Sequence, residues 1–218
     1  MVKRSYGQHC GMARAVDVLG ERWAFLIIRD LLIGPQRFTD LRRGLPKIPT
    51  NVLTTRLKEL EEAGVVERVI LPRPETAVVY QLTDYGQQLD EIVLALGRWG
   101  AQRLGDPGPE DIVTPNSLTM AMRTTFNPEA AKGVKASFEM HAGDIVLHMI
   151  IENGALISAP GPMPDADLVI ETGPEIRSLM AGEVTPAQAL KRGIVSVKGK
   201  KELLDVFARV FHIGPEAA

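Results

Sequence analysis

One cysteine, Cys10, stands in a chain of 218 residues. An intrachain disulfide is therefore impossible, and a secreted domain stapled by disulfides is excluded. No apolar run approaches the roughly 18 residues that a membrane-spanning helix needs. The start, MVKRSYG, has no apolar stretch behind it and does not read as a signal peptide. Neither sign of charge dominates: 25 basic residues face 27 acidic ones, a net of -2. Taken whole, that balance argues against a non-specific nucleic-acid binder, which is normally basic. Catalytic signatures are missing too. The sequence contains no Gly-rich phosphate loop, no GxSxG and no HExxH. Its four histidines, His9, His141, His148 and His212, are scattered, and the seven-residue spacing of the middle pair suits no standard metal motif. No enzymatic activity, metal or cofactor is expected. A cytoplasmic protein with no membrane partner is the default.

The composition that remains is that of a packed protein, 45% apolar and 24% charged. Its charge is unevenly spread. Residues 1–105 hold 15 Lys/Arg against 12 Asp/Glu, a net of +3, while residues 106–218 hold 10 against 15, a net of -5. The switch falls on a Pro/Gly cluster, Gly105-Asp-Pro-Gly-Pro109, of the kind that interrupts helices and links domains. Two domains follow, 1–105 and 117–218, with 106–116 as the linker.

In the first domain, Val16, Leu19, Trp23, Leu26, Ile27 and Leu31 recur at helical spacing and predict one helix over 13–33, stopped by Gly34-Pro35. Thr39 is placed to cap a short helix, Asp40 to Arg43. Thr50 is placed to cap the next, which runs to Ala63 with Leu53, Leu57 and Leu60 as its apolar stripe. Two β-branched runs, 65–71 and 77–82, flank a turn with Arg73 at its tip and read as a hairpin. Thr83 then caps a long helix. Helix, short helix, turn, helix, hairpin and long helix make a winged helix-turn-helix. The third helix offers Asn51, Thr54 and Thr55, which can bond base edges, and Lys58. Arg37, Arg42, Arg43 and Lys47 surround its entry and suit phosphates. The same pattern is also that of a solvated face on a small helical domain. Arg56 lies about 60° from the leucine stripe, where it either braces the fold or reaches a phosphate.

Several of these segments, in order, resemble the HxlR-type winged-helix regulators. They are GERWAFLIIRDLLIGPQRFTDLRR (20–43), VLTTRLKELEEAG (52–64), YQLTDYG (80–86) and Trp99-Gly100. The resemblance implies a homodimeric bacterial transcription regulator, paired through the first and last helices of the domain and bound to double-stranded DNA. Repression is favoured over activation. The pattern departs at Pro49, where the family often has a small polar residue. The DNA-contacting set carried by the resemblance and the residues together is Arg37, Arg42, Arg43, Lys47, Thr50, Asn51, Thr54, Thr55, Arg56, Lys58 and Arg73. In some HxlR-type proteins a cysteine near position 10 senses oxidants or electrophiles. Cys10 is either such a redox sensor or a small residue packing the first helix.

In the second domain, period-two alternation predicts strands over 116–126, 135–141, 145–151, 155–158, 167–171 and 194–197. Helices are expected over 175–180, 186–191 and 201–212. An α+β domain with one covered sheet face results. ADLVIETG (166–173), LMAGEVTPAQAL (179–190) and GIVSVKG (193–199), followed by a Leu/Phe-rich helix, resemble a sterol carrier protein-type domain. That resemblance implies an apolar tunnel for a fatty or sterol-like effector. Six of the eight methionines lie beyond residue 116, and methionine adapts to irregular pockets. Met120, Met122, Phe138, Met140, Met149, Phe207 and Phe211 are the candidate ligand contacts, or simply core. The rival to a regulator is a lipid carrier whose first domain serves dimerisation.

Overall fold

The computed structural model describes residues 5–72, 76–104, 108 and 110–214. It divides into two compact units, Met1–Val93 and Leu94–Ala218. The first unit runs α1 (Gly11–Leu19), α2 (Ala24–Leu31), α3 (Phe38–Gly44), α4 (Thr50–Glu62), β1 (Val66–Leu71), β2 (Ala77–Leu82) and α5 (Asp84–Gln87). Helix α6 (Asp90–Ala101) begins in it and continues into the second unit.

Four helix boundaries differ from the sequence expectation. The single helix over 13–33 is two helices. Gly20 closes α1, its amide donating to Val16 O, and an added Cβ would lie 2.6 Å from that oxygen. Trp23 then adopts φ 83, a left-handed conformation that an L-residue other than glycine enters at a cost, and a continuous helix cannot pass through it. Thr39 and Thr50 are not caps. Arg37 and Pro49 occupy those N-cap positions, and neither makes a side-chain cap bond. Pro49 has no donor to lose there, and its fixed φ of -66 suits the entry. Thr83 does cap, accepting from Gly86 N, but its helix is the four-residue α5, and α6 starts separately.

The core of this unit is aliphatic. Ile27, Ile28, Leu31, Leu41, Leu53, Leu57 and Leu60 are essentially inaccessible. The hairpin pairs Val66 with Leu82 through to Leu71 with Ala77. Its buried Val66, Val79 and Leu82 complete the core. Arg73 lies outside the described residues.

The second unit continues with α7 (Pro115–Thr125), β3 (Lys135–Ala142), β4 (Ile145–Glu152), β5 (Ala155–Pro160), β6 (Leu168–Thr172), α8 (Ile176–Met180), α9 (Pro186–Lys191), β7 (Val195–Gly199) and α10 (Leu203–Val210). The strands form one mixed sheet in the order β5-β4-β3-β6-β7, with only β3 and β6 parallel. Ala136, Phe138 and Met140 on β3, with Leu147, Met149 and Ile151 on β4, point to the covered face. Met122 of α7, Leu179 of α8, Ala189 of α9 and Phe207 of α10 share their core.

The strand expected over 116–126 is a helix up to Thr125, and only Phe126 is extended. Leu118, Met120 and Met122 alternate, but Leu118, Met122 and Phe126 also recur every four residues and pack on the sheet core. The start settles which period wins. Thr114 Oγ1 accepts from Ser117 N, Ser117 Oγ accepts from Thr114 N, and Pro115 takes the first helical position. This reciprocal box satisfies two amides that the first turn would leave unpaired. The linker expected over 106–116 therefore ends in a helix cap. Its residues 106, 107 and 109 lie outside the described ones.

Candidate nucleic-acid interface

Helix α4 is built as a two-faced rod. Its leucine stripe is sunk in the core, while Thr50, Asn51, Thr54 and Lys58 are exposed and Thr55 is half-buried. Thirteen residues make it about 20 Å long. A helix of that width fits a major groove about 12 Å across. Thr54 Oγ1 donates to Thr50 O and Thr55 Oγ1 to Asn51 O, both at 2.9 Å. With its proton committed to the helix, each hydroxyl keeps lone pairs that accept and a methyl that packs. Such a face suits the exocyclic amine of adenine or cytosine, or the thymine methyl.

The charges are graded along this rod. No acidic residue stands in its first turn, and its N-cap residue, Pro49, makes no side-chain cap bond. Arg37, Arg42, Arg43 and Lys47 are exposed on α3 and in the turn that precedes α4. Arg43 Nη1 lies 3.2 Å from Asp40 Oδ1, a surface pair of little energy that a phosphate can replace. Lys58 Nζ stands 3.8 Å from Glu62 Oε1. The acidic residues, Glu59, Glu61 and Glu62, gather toward the far end.

Arg56 is placed differently from the rest of the expected set. Its side chain is only 17% exposed. Nη2 lies 3.2 Å from Glu21 Oε2 in the turn between α1 and α2, and Nη1 is paired with Glu59 Oε2. Glu21 carried no site signal in the sequence. Only the position of Arg56 beside the leucine stripe hinted that it turns inward.

Elsewhere in the first unit, Cys10 occupies the N-cap of α1 and is exposed. The amides of Ala13 and then Met12 hold its thiol below the usual range. In α6, Ile92, Leu96 and Trp99 are exposed at spacings of four and three, an apolar stripe on one side of the helix.

The seven candidate ligand contacts are all buried. Six of them, Met122, Phe138, Met140, Met149, Phe207 and Phe211, meet in one cluster, and Met120 lies apart from it. The ring centroids of Phe207 and Phe211 are 4.9 Å apart, and those of Phe138 and Phe207 5.7 Å. On the opposite sheet face, Glu139 accepts from Met163 N and from His141 Nε2, each at 2.6 Å. The amide of Met163, and next the His141 ring, hold its carboxyl below the ordinary range. His148 Nδ1 donates to Gly161 O at 3.0 Å, so Glu139 and His148 both hold the segment that crosses from β5 to β6, and His141 braces Glu139. Among the described residues, no group of three or more His, Cys, Asp or Glu is placed to hold a metal ion. None of the described helices is long and apolar enough to cross a membrane.

A winged hairpin following the exposed, polar face of α4 defines a DNA-binding transcription regulator of the helix-turn-helix class. The family model for the HxlR-like helix-turn-helix matches residues 18–107. The chain is 42% identical over 89 residues to the uncharacterized HTH-type transcriptional regulator YvaP of Bacillus subtilis strain 168, covering 41% of this chain and 82% of that protein. It is 39% identical over 97 residues to the HTH-type transcriptional regulator YodB of the same strain, covering 44% and 86%. The chain belongs to the HxlR-like helix-turn-helix family. The reduced form of YodB from B. subtilis, a solved structure, is 35% identical, covers 46% of this chain and 100% of its own, and superposes with a TM-score of 0.40.

Proposed function

We propose that the protein works in the cytoplasm as a homodimeric repressor that binds a near-palindromic operator and responds to an apolar effector. The observation that carries the DNA reading is the α4 face, with reading groups outward, bases at its entry and acids at its far end. Asn51, Thr54 and Thr55 read bases. Arg37, Arg42, Arg43, Lys47, Thr50 and Lys58 hold phosphates, with Arg73 on the wing. The stripe Ile92, Leu96 and Trp99 supports pairing of two copies, which sets two recognition helices about 34–36 Å apart on one side of the duplex.

For the second unit, the reading is a sterol carrier protein-like domain. Its support is the run of matching segments, which fall on β6, α8–α9 and β7, with α10 as the Leu/Phe-rich helix. The Met and Phe side chains of the core would yield to a fatty or sterol-like ligand. Ser158 Oγ, on β5 opposite Met149, is buried without a hydrogen-bond partner and supplies a polar anchor. Apolar sites typically carry only a few such groups. Binding changes DNA affinity only through differential affinity for two arrangements of the protein. Cys10 supports a second input: its exposed, acidified thiol suits oxidant or electrophile sensing, by adduct formation or a disulfide between subunits.

Selection from a random duplex pool, followed by gel-shift titration, tests the main reading. A selected sequence bound in preference to its scrambled counterpart is expected at moderate salt. Equal binding of the two refutes a specific regulator and leaves the lipid carrier. Native mass spectrometry with added palmitate is expected to show a bound molecule, and its persistent absence leaves the second unit as an interaction domain.

A further inference from the structure

Arg56 sits on the recognition helix, yet its guanidinium is mostly covered and engaged by carboxylates of the protein. Nη2 is held by Glu21, Nη1 is paired with Glu59, and Nε is buried with no acceptor. With its side chain only 17% exposed, the guanidinium is engaged by protein carboxylates rather than offered to a phosphate. Glu21 is itself fixed, since its carbonyl accepts from Ala24 N at the start of α2.

We infer that Arg56 is a positioning residue that sets the roll of α4 through Glu21, so that the α1–α2 turn shares control of sequence discrimination. Leu53, Leu57 and Leu60 hold the helix at its depth, but apolar packing is non-directional. A charge-assisted hydrogen bond is directional: Glu59, on α4 itself, orients the planar guanidinium, and Glu21, outside the helix, ties it to one rotation. A side-chain tip about 5–6 Å from the axis moves by about 2 Å when the helix rolls 20°. Hydrogen bonds from Asn51 or Thr55 to a base edge do not survive that displacement. The inference rests on the DNA reading.

The test uses the full-length protein with the duplex it selects from a random pool and the scrambled duplex, over a salt series. Glu21→Gln removes a negative charge away from the reading residues, and on charge alone it would strengthen all DNA binding. It is expected instead to lower the preference for the selected duplex roughly three- to thirtyfold, with an unchanged salt slope. Arg56→Lys, which cannot span two carboxylates, is expected to do the same. The double variant should be no worse than Arg56→Lys alone, because both remove one interaction. A salt slope reduced by about one, with equal loss on both duplexes, would make Arg56 a phosphate contact and overturn the inference. So would an unchanged preference in Glu21→Gln. Equal loss on both duplexes without a slope change would mean partial unfolding and would overturn it too. If the wild-type protein selects no sequence, the DNA reading itself falls, and this inference with it.

Discussion

Thr55 and Arg43 would meet DNA through different chemistry, and that difference can be measured. Thr55 presents an acceptor and a methyl on α4, so Thr55→Ala should weaken the selected duplex about five- to a hundredfold and the scrambled one hardly at all. Arg43 is an exposed charge beside the helix entry, so Arg43→Ala should weaken both duplexes alike and reduce the salt slope by about one. Equal losses for Thr55→Ala would remove it from the reading face. A third residue answers to pH. The carboxyl of Glu139 titrates below its unfolded value because Met163 N and His141 favour the charged form. Its contribution is therefore complete above the unfolded pKa and is lost as pH falls through the lower, folded one. Between about pH 5 and pH 3, urea unfolding of the wild type should show a falling midpoint. Glu139→Gln should flatten that dependence. A variant with the same slope as the wild type would show that other carboxylates govern the acid limb.

At the scale of elements, the capping boxes are the points where single substitutions should tell most. Thr185 on α9 repeats the device of Thr114 on α7: its hydroxyl accepts from Gln188 N and Gln188 reaches back to Thr185 N, with Pro186 first in the helix. Thr114→Ala should cost about 1 kcal/mol in chemical denaturation of the second unit. A loss near zero would mean that the α7 start is held by tertiary packing alone. The same box shows what the sequence could and could not reveal. The stripe of α4 and the alternation of β3 and β4 were legible because each repeats with one period only. Residues 118–122 satisfy two periods at once, so local spacing left the choice to Thr114 and Ser117. The break at Trp23 was illegible because apolar spacing carries on through it. The Arg56–Glu21 pair was illegible for a different reason: it joins residues 35 positions apart, and periodicity reports only neighbours along one element.

At the scale of the molecule, net charge misleads when averaged. The basic half carries the candidate interface, and the acidic half dilutes it to -2. Pairing of two copies is the next property to measure. Leu96→Asp with Trp99→Asp places charge on a stripe already exposed in one copy, so each chain should stay folded. Sedimentation should then show a monomer, and affinity for the two-half-site duplex should fall by roughly a hundredfold or more. A dimer that persists would move the interface elsewhere.

Helix α6 also bears on how such a protein can be taken apart. Its later half belongs to the second unit, where a Cβ on Gly97 would lie 3.0 Å from Thr124 Oγ1. The segment matched by the family model, however, runs on to residue 107. The border of the shared family segment and the border of the folded body thus fall at different places. A fragment cut at the Pro/Gly cluster would leave Thr124 without the helix it packs on. A fragment begun before Leu94 would carry its own wall. The second unit is therefore no cassette that can be joined to another DNA-binding head at the linker. Whatever head carries it meets Thr124 at the place of Gly97, where even one added carbon lies at 3.0 Å.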